Sequence, residues 1–104
     1  MYVTQGIPMH VLEFVFSQVE GNMKLFVLND TVEDKMVQEY ARKHGLVCQT
    51  FPKNEALLRD MELIDFCDCY LLVGDDKTLR RFLSLGKMMK KKIAWFNAKG
   101  FLVA

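Results

Sequence analysis

The sequence predicts an α/β fold built on a parallel sheet of about four strands, and three observations carry that reading. Short apolar runs at residues 23–28, 46–51, 66–74 and 93–97 alternate with longer stretches patterned as helices. Capping and turn residues punctuate the boundaries between them. The chain has 104 residues, 51% of them hydrophobic, which suits a single domain with one core.

Residues 1–22 read as an N-terminal extension. Pro8 suits a first helical position, and Met9, Leu12, Val15, Phe16 and Val19 then form an apolar stripe at helical spacing. Val11, Phe14, Val15 and Phe16 are also good strand formers, with Glu20-Gly21-Asn22 as a hairpin turn. The helix is preferred, because a hairpin would occupy an edge that the parallel sheet needs.

Residues 23–28 form the first predicted strand, ended by Asn29-Asp30. Thr31 with Asp34 three residues on resembles a capping box, and Val32, Met36, Val37, Tyr40 and Ala41 give the following helix its buried face. Gly45 stands where a left-handed cap belongs, after Arg42, Lys43 and His44. The second strand spans 46–51 and is broken by Pro52. Asn54 can cap the next helix, whose stripe is Leu57, Leu58, Met61 and Ile64.

The third strand, 66–74, is an almost continuous apolar run ended by Gly74-Asp75-Asp76, as expected for a strand covered on both faces. A carboxylate there can cap the helix at 76–90. Leu79, Phe82, Leu83, Gly86 and Met89 fall on one face of that helix. Lys77, Arg80, Arg81, Ser84, Lys87 and Lys91 fall on the other. Residues 93–97 make the fourth strand. Ala98-Lys99-Gly100 reads as a turn, so 98–104 can add a short antiparallel edge strand.

Right-handed crossovers between such strands give a three-layer sandwich of the Rossmann-like or flavodoxin-like kind, with strand order 2-1-3-4. The first and third strands are then neighbours. Their carboxyl ends open a crevice lined by Asn29, Asp30, Thr31, Gly74, Asp75 and Asp76.

Charge is unevenly distributed. Residues 1–76 hold thirteen acids and six bases, whereas 77–104 hold eight bases and no acid, leaving a net +1. The basic third is either a solvated face or an attractor for an anion such as phosphate. The basic face of the helix at 76–90 has no interleaved aromatics, which argues against nucleic acid. Three cysteines fit no paired disulfide framework, and no apolar run approaches the roughly 20 residues of a membrane span. With no signal-peptide pattern, the expectation is a reduced, cytoplasmic protein without a membrane partner.

Few constellations carry chemistry. Cys67 and Cys69, two apart on a strand, share a face, but His10 and His44 are far away in sequence and Cys48 belongs to another strand, so no metal is expected. Asp68, near a strand start, is solvated at the strand end, paired, or functional. Asp75-Asp76 can cap a helix or hold ribose hydroxyls. Residues 29–34 contain no glycine and are acidic, which argues against a dinucleotide or phosphate-binding loop after the first strand. No Ser-His-Asp candidate is present, and no cofactor is implied.

The stretch Asp65-Phe66-Cys67-Asp68-Cys69-Tyr70-Leu71-Leu72-Val73-Gly74-Asp75-Asp76, with Ser84-Leu85-Gly86-Lys87 and the lysine-rich entry to Ile93, resembles the nucleoside 2-deoxyribosyltransferase-like family. That family has a Rossmann-like sheet. Its third strand begins with Asp and ends in an acidic loop, and its next helix carries a Glu-(Leu/Ile)-Gly-x-Ala motif. The similarity covers roughly residues 23–97. It implies that Asp68 contacts a nucleoside, that Asp75 or Asp76 lies near the sugar or base, and that subunits pair into homodimers or higher homo-oligomers. Ser84 stands at the family nucleophile position. A serine without a base does not replace a carboxylate that attacks an anomeric carbon.

Three functions follow as expectations. The first is a nucleoside- or nucleotide-binding protein without transferase activity, with Asn29, Asp30, Asp68, Asp75, Asp76, Ser84 and Lys87 at the ligand. The second is a protein–protein interaction or dimerisation module using residues 1–22 and the aromatic C-terminal edge. The third is an active N-glycosidase or deoxyribosyltransferase using another carboxylate, such as Asp76.

Overall fold

The computed structural model describes residues 1–19, 24–50 and 56–103, with the side chains of 56–60 excepted. The expected break at Pro52, the cap at Asn54, the turn at Glu20-Gly21-Asn22 and the stripe positions Leu57 and Leu58 lie outside the described residues or side chains. Among the described residues five strands alternate with four helices: β1 (Tyr2–Val3), α1 (Met9–Ser17), β2 (Lys24–Val27), α2 (Val32–Lys43), β3 (Val47–Thr50), α3 (Ala56–Phe66), β4 (Cys69–Val73), α4 (Lys77–Met88) and β5 (Lys92–Phe96). Among the described residues no helix is long and apolar enough to cross a membrane.

The strand pairings among the described residues are parallel. One sheet has the order β1-β4-β5 and the other pairs β2 with β3. The Met1 amino group donates to the Phe26 carbonyl at 2.9 Å, setting β2 beside β1. The strands therefore follow each other as β3-β2-β1-β4-β5 across one gap in the ladder.

This corrects the expected order 2-1-3-4. The strand at Lys24–Val27 does not adjoin Cys69–Val73. Tyr2–Val3 takes that place, with Tyr2 opposite Leu72 and Val3 opposite Val73. The extension thus supplies a central strand as well as the expected helix. The physical reason for the miss is length, because two residues are too few to display the alternation that marks a strand.

The alternation along the strands sends side chains to two cores. Val3, Leu25, Val27, Leu71, Val73 and Phe96 pack with Val11, Leu12, Val15 and Phe16 of α1 and Val37 and Ala41 of α2. Tyr70 and Leu72 pack on the other face, with Leu63 and Ile64 of α3 and Leu79 and Phe82 of α4. Two helices therefore cover each face, and the layers are α/β/α.

Several local expectations hold. Thr31 accepts from the Asp34 amide while the Asp34 carboxylate accepts from the Thr31 amide, closing the capping box of α2. Gly45 adopts φ +66 just past that helix. Asp76 caps α4. Gly86 is buried, and a Cβ there would come within 2.7 Å of Ile93, so glycine permits the close approach of α4 to β5. At the C-terminus the antiparallel edge is reduced to an isolated bridge between Phe96 and Leu102.

Candidate functional site

The chain order and the two cores together locate a crevice. α1 leaves β1 for one face of the sheet, and α4 leaves the adjacent β4 for the other. Where neighbouring strands send their crossovers apart, the gap between their carboxyl ends is the usual ligand position in an open α/β sheet. Here that gap lies between the turn at 4–8 and the loop at 74–76.

The 74–76 loop is locked from several sides. Gly74 has φ +104, and a Cβ there would stand 1.9 Å from Thr4 Oγ1. Its carbonyl accepts from Trp95 Nε1 at 2.8 Å, and its amide donates to the Phe96 carbonyl at 2.8 Å. Asp75 accepts two bonds from Arg80, each 2.8 Å, and this guanidinium holds the Asp75 carboxyl below its usual range. Arg80 also lies 4.9 Å from the centroid of the Trp95 ring. Asp76 Oδ1 accepts from the Leu79 amide at 2.7 Å, and Oδ2 accepts from the Tyr2 hydroxyl at 2.9 Å. Burial, then this bond to Asp76, pushes the Tyr2 hydroxyl up to about 12.

The neighbouring β2–α2 loop is similarly occupied. Asn29 Oδ1 accepts from Gln38 at 3.2 Å. The Asp30 and Thr31 amides both donate to Asp34, whose carboxyl is pushed up by burial. The acids at this edge therefore act first as caps and staples.

The turn at 4–8 is more open. Gln5 and Gly6 are exposed, Gly6 has φ +91, and a Cβ there would meet nothing within 4 Å. Pro8, at the N-cap of α1, offers no side-chain cap, and the first turn of α1 carries no acid. Beside it runs a groove of about 420 Å³ between α1 and the segment after β5, with His10, Phe14, Lys99 and Phe101 among its walls. Sequence reasoning missed this turn because it tested residues 29–34 for a phosphate loop. The first strand of the fold is Tyr2–Val3, and the loop to test is the one holding Gly6.

The proposed ligand residues are not gathered into one cleft. Asn29, Asp30, Asp75 and Asp76 stand at the carboxyl ends of β2 and β4. Asp68 immediately precedes β4 and so stands at the opposite edge of the sheet. Ser84 and Lys87 lie on the exposed face of α4, opposite buried Leu79, Phe82 and Gly86. Cys67 and Cys69 do not share surroundings either. Cys67 precedes the strand and is buried, which pushes its thiol up, whereas Cys69 is exposed. Strand alternation does not govern a residue outside the strand.

Asp68 instead lines a cavity of about 560 Å³ at the amino edge, with Lys24, Phe26, Phe66 and Leu71. Comparison with protein-family models, curated proteins and solved structures finds no match.

Proposed function

We propose that the protein binds a nucleoside or nucleotide at the carboxyl edge of its sheet and does not transfer the glycosyl group. The observation that carries this reading is the switch point between β1 and β4, opening onto an accessible Gly6 turn that leads into α1 without a side-chain cap. Backbone amides at such a turn and the positive end of a helix favour a phosphate, and His10 and Lys99 line the adjoining groove. The rings of Phe14 and Phe101, 5.3 Å apart edge to face, offer an apolar wall to a base. The absence of transfer rests on carboxylate placement. Ser84 is solvent-facing, and both Asp76 oxygens already accept bonds from Tyr2 and Leu79.

The test is calorimetric titration with nucleosides, nucleoside monophosphates and inorganic phosphate, beside an assay for free base. Monophosphates should bind more tightly than nucleosides, with no base released. Pro8→Asp puts a carboxylate at the N-cap, which suits the helix but repels phosphate, so it should abolish monophosphate binding without lowering stability. Equal monophosphate binding by this variant, or no heat at millimolar nucleotide, rules the reading out.

A second reading, a protein–protein or homo-oligomer contact, is favoured by Phe101, Leu102 and Val103. They are 56%, 61% and 50% exposed in sequence along the outer side of β5. Light scattering on the wild type and on Leu102→Ser tests it: a monomeric wild type excludes self-association.

A further inference from the structure

The cavity at the amino edge has a different chemistry from the crevice. Its floor is apolar, formed by the buried side chains of Leu25, Leu71 and Cys67. One wall is the edge-to-face pair Phe26 and Phe66, with ring centroids 5.0 Å apart. Phe66, which closes α3, is 65% exposed. A cavity of this size, mostly apolar with a few polar groups, has the character of a small-molecule site.

Two of the polar groups lining it are uncommitted and of opposite sign. Lys24 begins β2 and holds its ammonium 5.1 Å from the Phe26 ring centroid. Asp68 precedes β4. Among the described residues neither side chain enters a hydrogen bond or an ion pair, with each other or with anything else. The nearby Lys91 is engaged, donating to the Asp65 carbonyl at 2.9 Å. The contrast with Asp75 and Asp76 at the other edge is direct: those carboxylates already have partners, and this one has none among the described residues.

We propose that this cavity binds a free α-amino acid with an apolar or aromatic side chain. The ammonium of the ligand meets Asp68, its carboxylate meets Lys24, and its side chain lies against Phe66 over the Leu25–Leu71 floor. A single exposed ion pair adds little affinity, so recognition needs both charges together with apolar burial. A zwitterion with an apolar tail has that combination. An amine alone or a carboxylate alone leaves one rim charge unmatched. The site is separate from the nucleotide crevice and does not depend on it.

The experiment is an amide-resolved NMR titration of the full chain with L-phenylalanine, phenethylamine and 3-phenylpropionate, and with AMP in parallel. L-phenylalanine should shift the amides of 24–26 and 66–69 and bind at least about tenfold more tightly than either half-ligand. Asp68→Asn should remove the advantage over 3-phenylpropionate, and Lys24→Met the advantage over phenethylamine. Both positions are exposed, and far-UV dichroism verifies that the variants fold. Equal binding of the three ligands, no shift at millimolar L-phenylalanine, or unchanged binding by either variant overturns the proposal. AMP shifts at 5–11 and 97–101 report the nucleotide site independently, so failure of one site is not failure of the other.

Discussion

The two edges of the sheet treat their charges differently. At the carboxyl edge Asp34, Asp75 and Asp76 are each tied to a backbone amide or a cationic or hydroxyl partner. At the amino edge Lys24 and Asp68 line a cavity, and among the described residues neither has a hydrogen bond or an ion pair, Lys24 contacting only the Phe26 ring. Helix N-termini gather at the carboxyl edge of a parallel α/β fold, and their unsatisfied amides recruit carboxylates as caps. An acidic loop after a strand is therefore a poor sign of a ligand site on its own. A charge at the opposite edge, where no helix N-terminus needs it, carries more information. Substitutions that break one edge and spare the other test this contrast.

The largest effect is expected at Gly74. Alanine there places Cβ against Thr4, whose backbone is fixed by its bond to the Val73 carbonyl, and also forces a non-glycine residue to φ +104. Overpacking and backbone strain together should cost about 3 kcal/mol or more, read by urea denaturation. Adding Thr4→Ala should recover part of that loss, since it removes the 1.9 Å contact with Oγ1 but leaves the Cβ contact at 2.9 Å and the backbone strain.

Next is Tyr2→Phe, which keeps the ring contact with Phe82 at 5.1 Å and removes the bond to Asp76. A hydrogen bond to a charged acceptor, partly exposed, suggests a loss of about 1–2 kcal/mol at neutral pH. The sign of the pH dependence is fixed by the raised hydroxyl. The folded state holds the Tyr2 proton up to about pH 12, whereas the unfolded chain releases it near 10. Wild-type stability therefore falls as pH rises from 10 through 12, and the variant lacks this decline. The gap between the two should narrow over that window; a constant gap would mean that Tyr2 does not titrate as described.

Thr31→Ala removes one half of the capping box of α2 and should cost about 1 kcal/mol. It should leave AMP binding intact if the 4–8 turn, rather than the β2–α2 loop, holds the phosphate. A matching loss of affinity would bring Asn29 and Asp30 back to the ligand.

How much of this was legible depends on the range over which each feature acts. The capping box, the Gly45 cap and the buried stripe of α4 are set within one or two helical turns, and the sequence displays them. The Asp75–Arg80 pair is five residues apart and in principle readable. The Tyr2–Asp76 bond joins residues 74 positions apart and depends on β1 lying beside β4, which a two-residue strand cannot announce. The order of the strands failed for that reason, and the candidate crevice shifted with it. The edge occupied by Asp68 was legible, since a residue at a strand start in a parallel sheet stands on the amino side. Its lack of a hydrogen-bond or ion-pair partner among the described residues was not, because that depends on what the surrounding loops bring near.

The smallest effect is expected from the uncommitted pair, and it separates ligand charges from structural ones most cleanly. Asp68→Asn and Lys24→Met remove no hydrogen bond and no ion pair among the described residues. Both side chains are exposed, so each change should alter stability by no more than about 0.5 kcal/mol. Methionine at 24 keeps an apolar side chain that can still contact the Phe26 ring, so the loss of the cation–π contact is partly offset. Urea midpoints indistinguishable from the wild type would mark both as charges that the fold does not require. A loss of 1 kcal/mol or more at Asp68 would place it with Asp75 and Asp76, as one more carboxylate that staples the structure, and would remove the contrast between the edges.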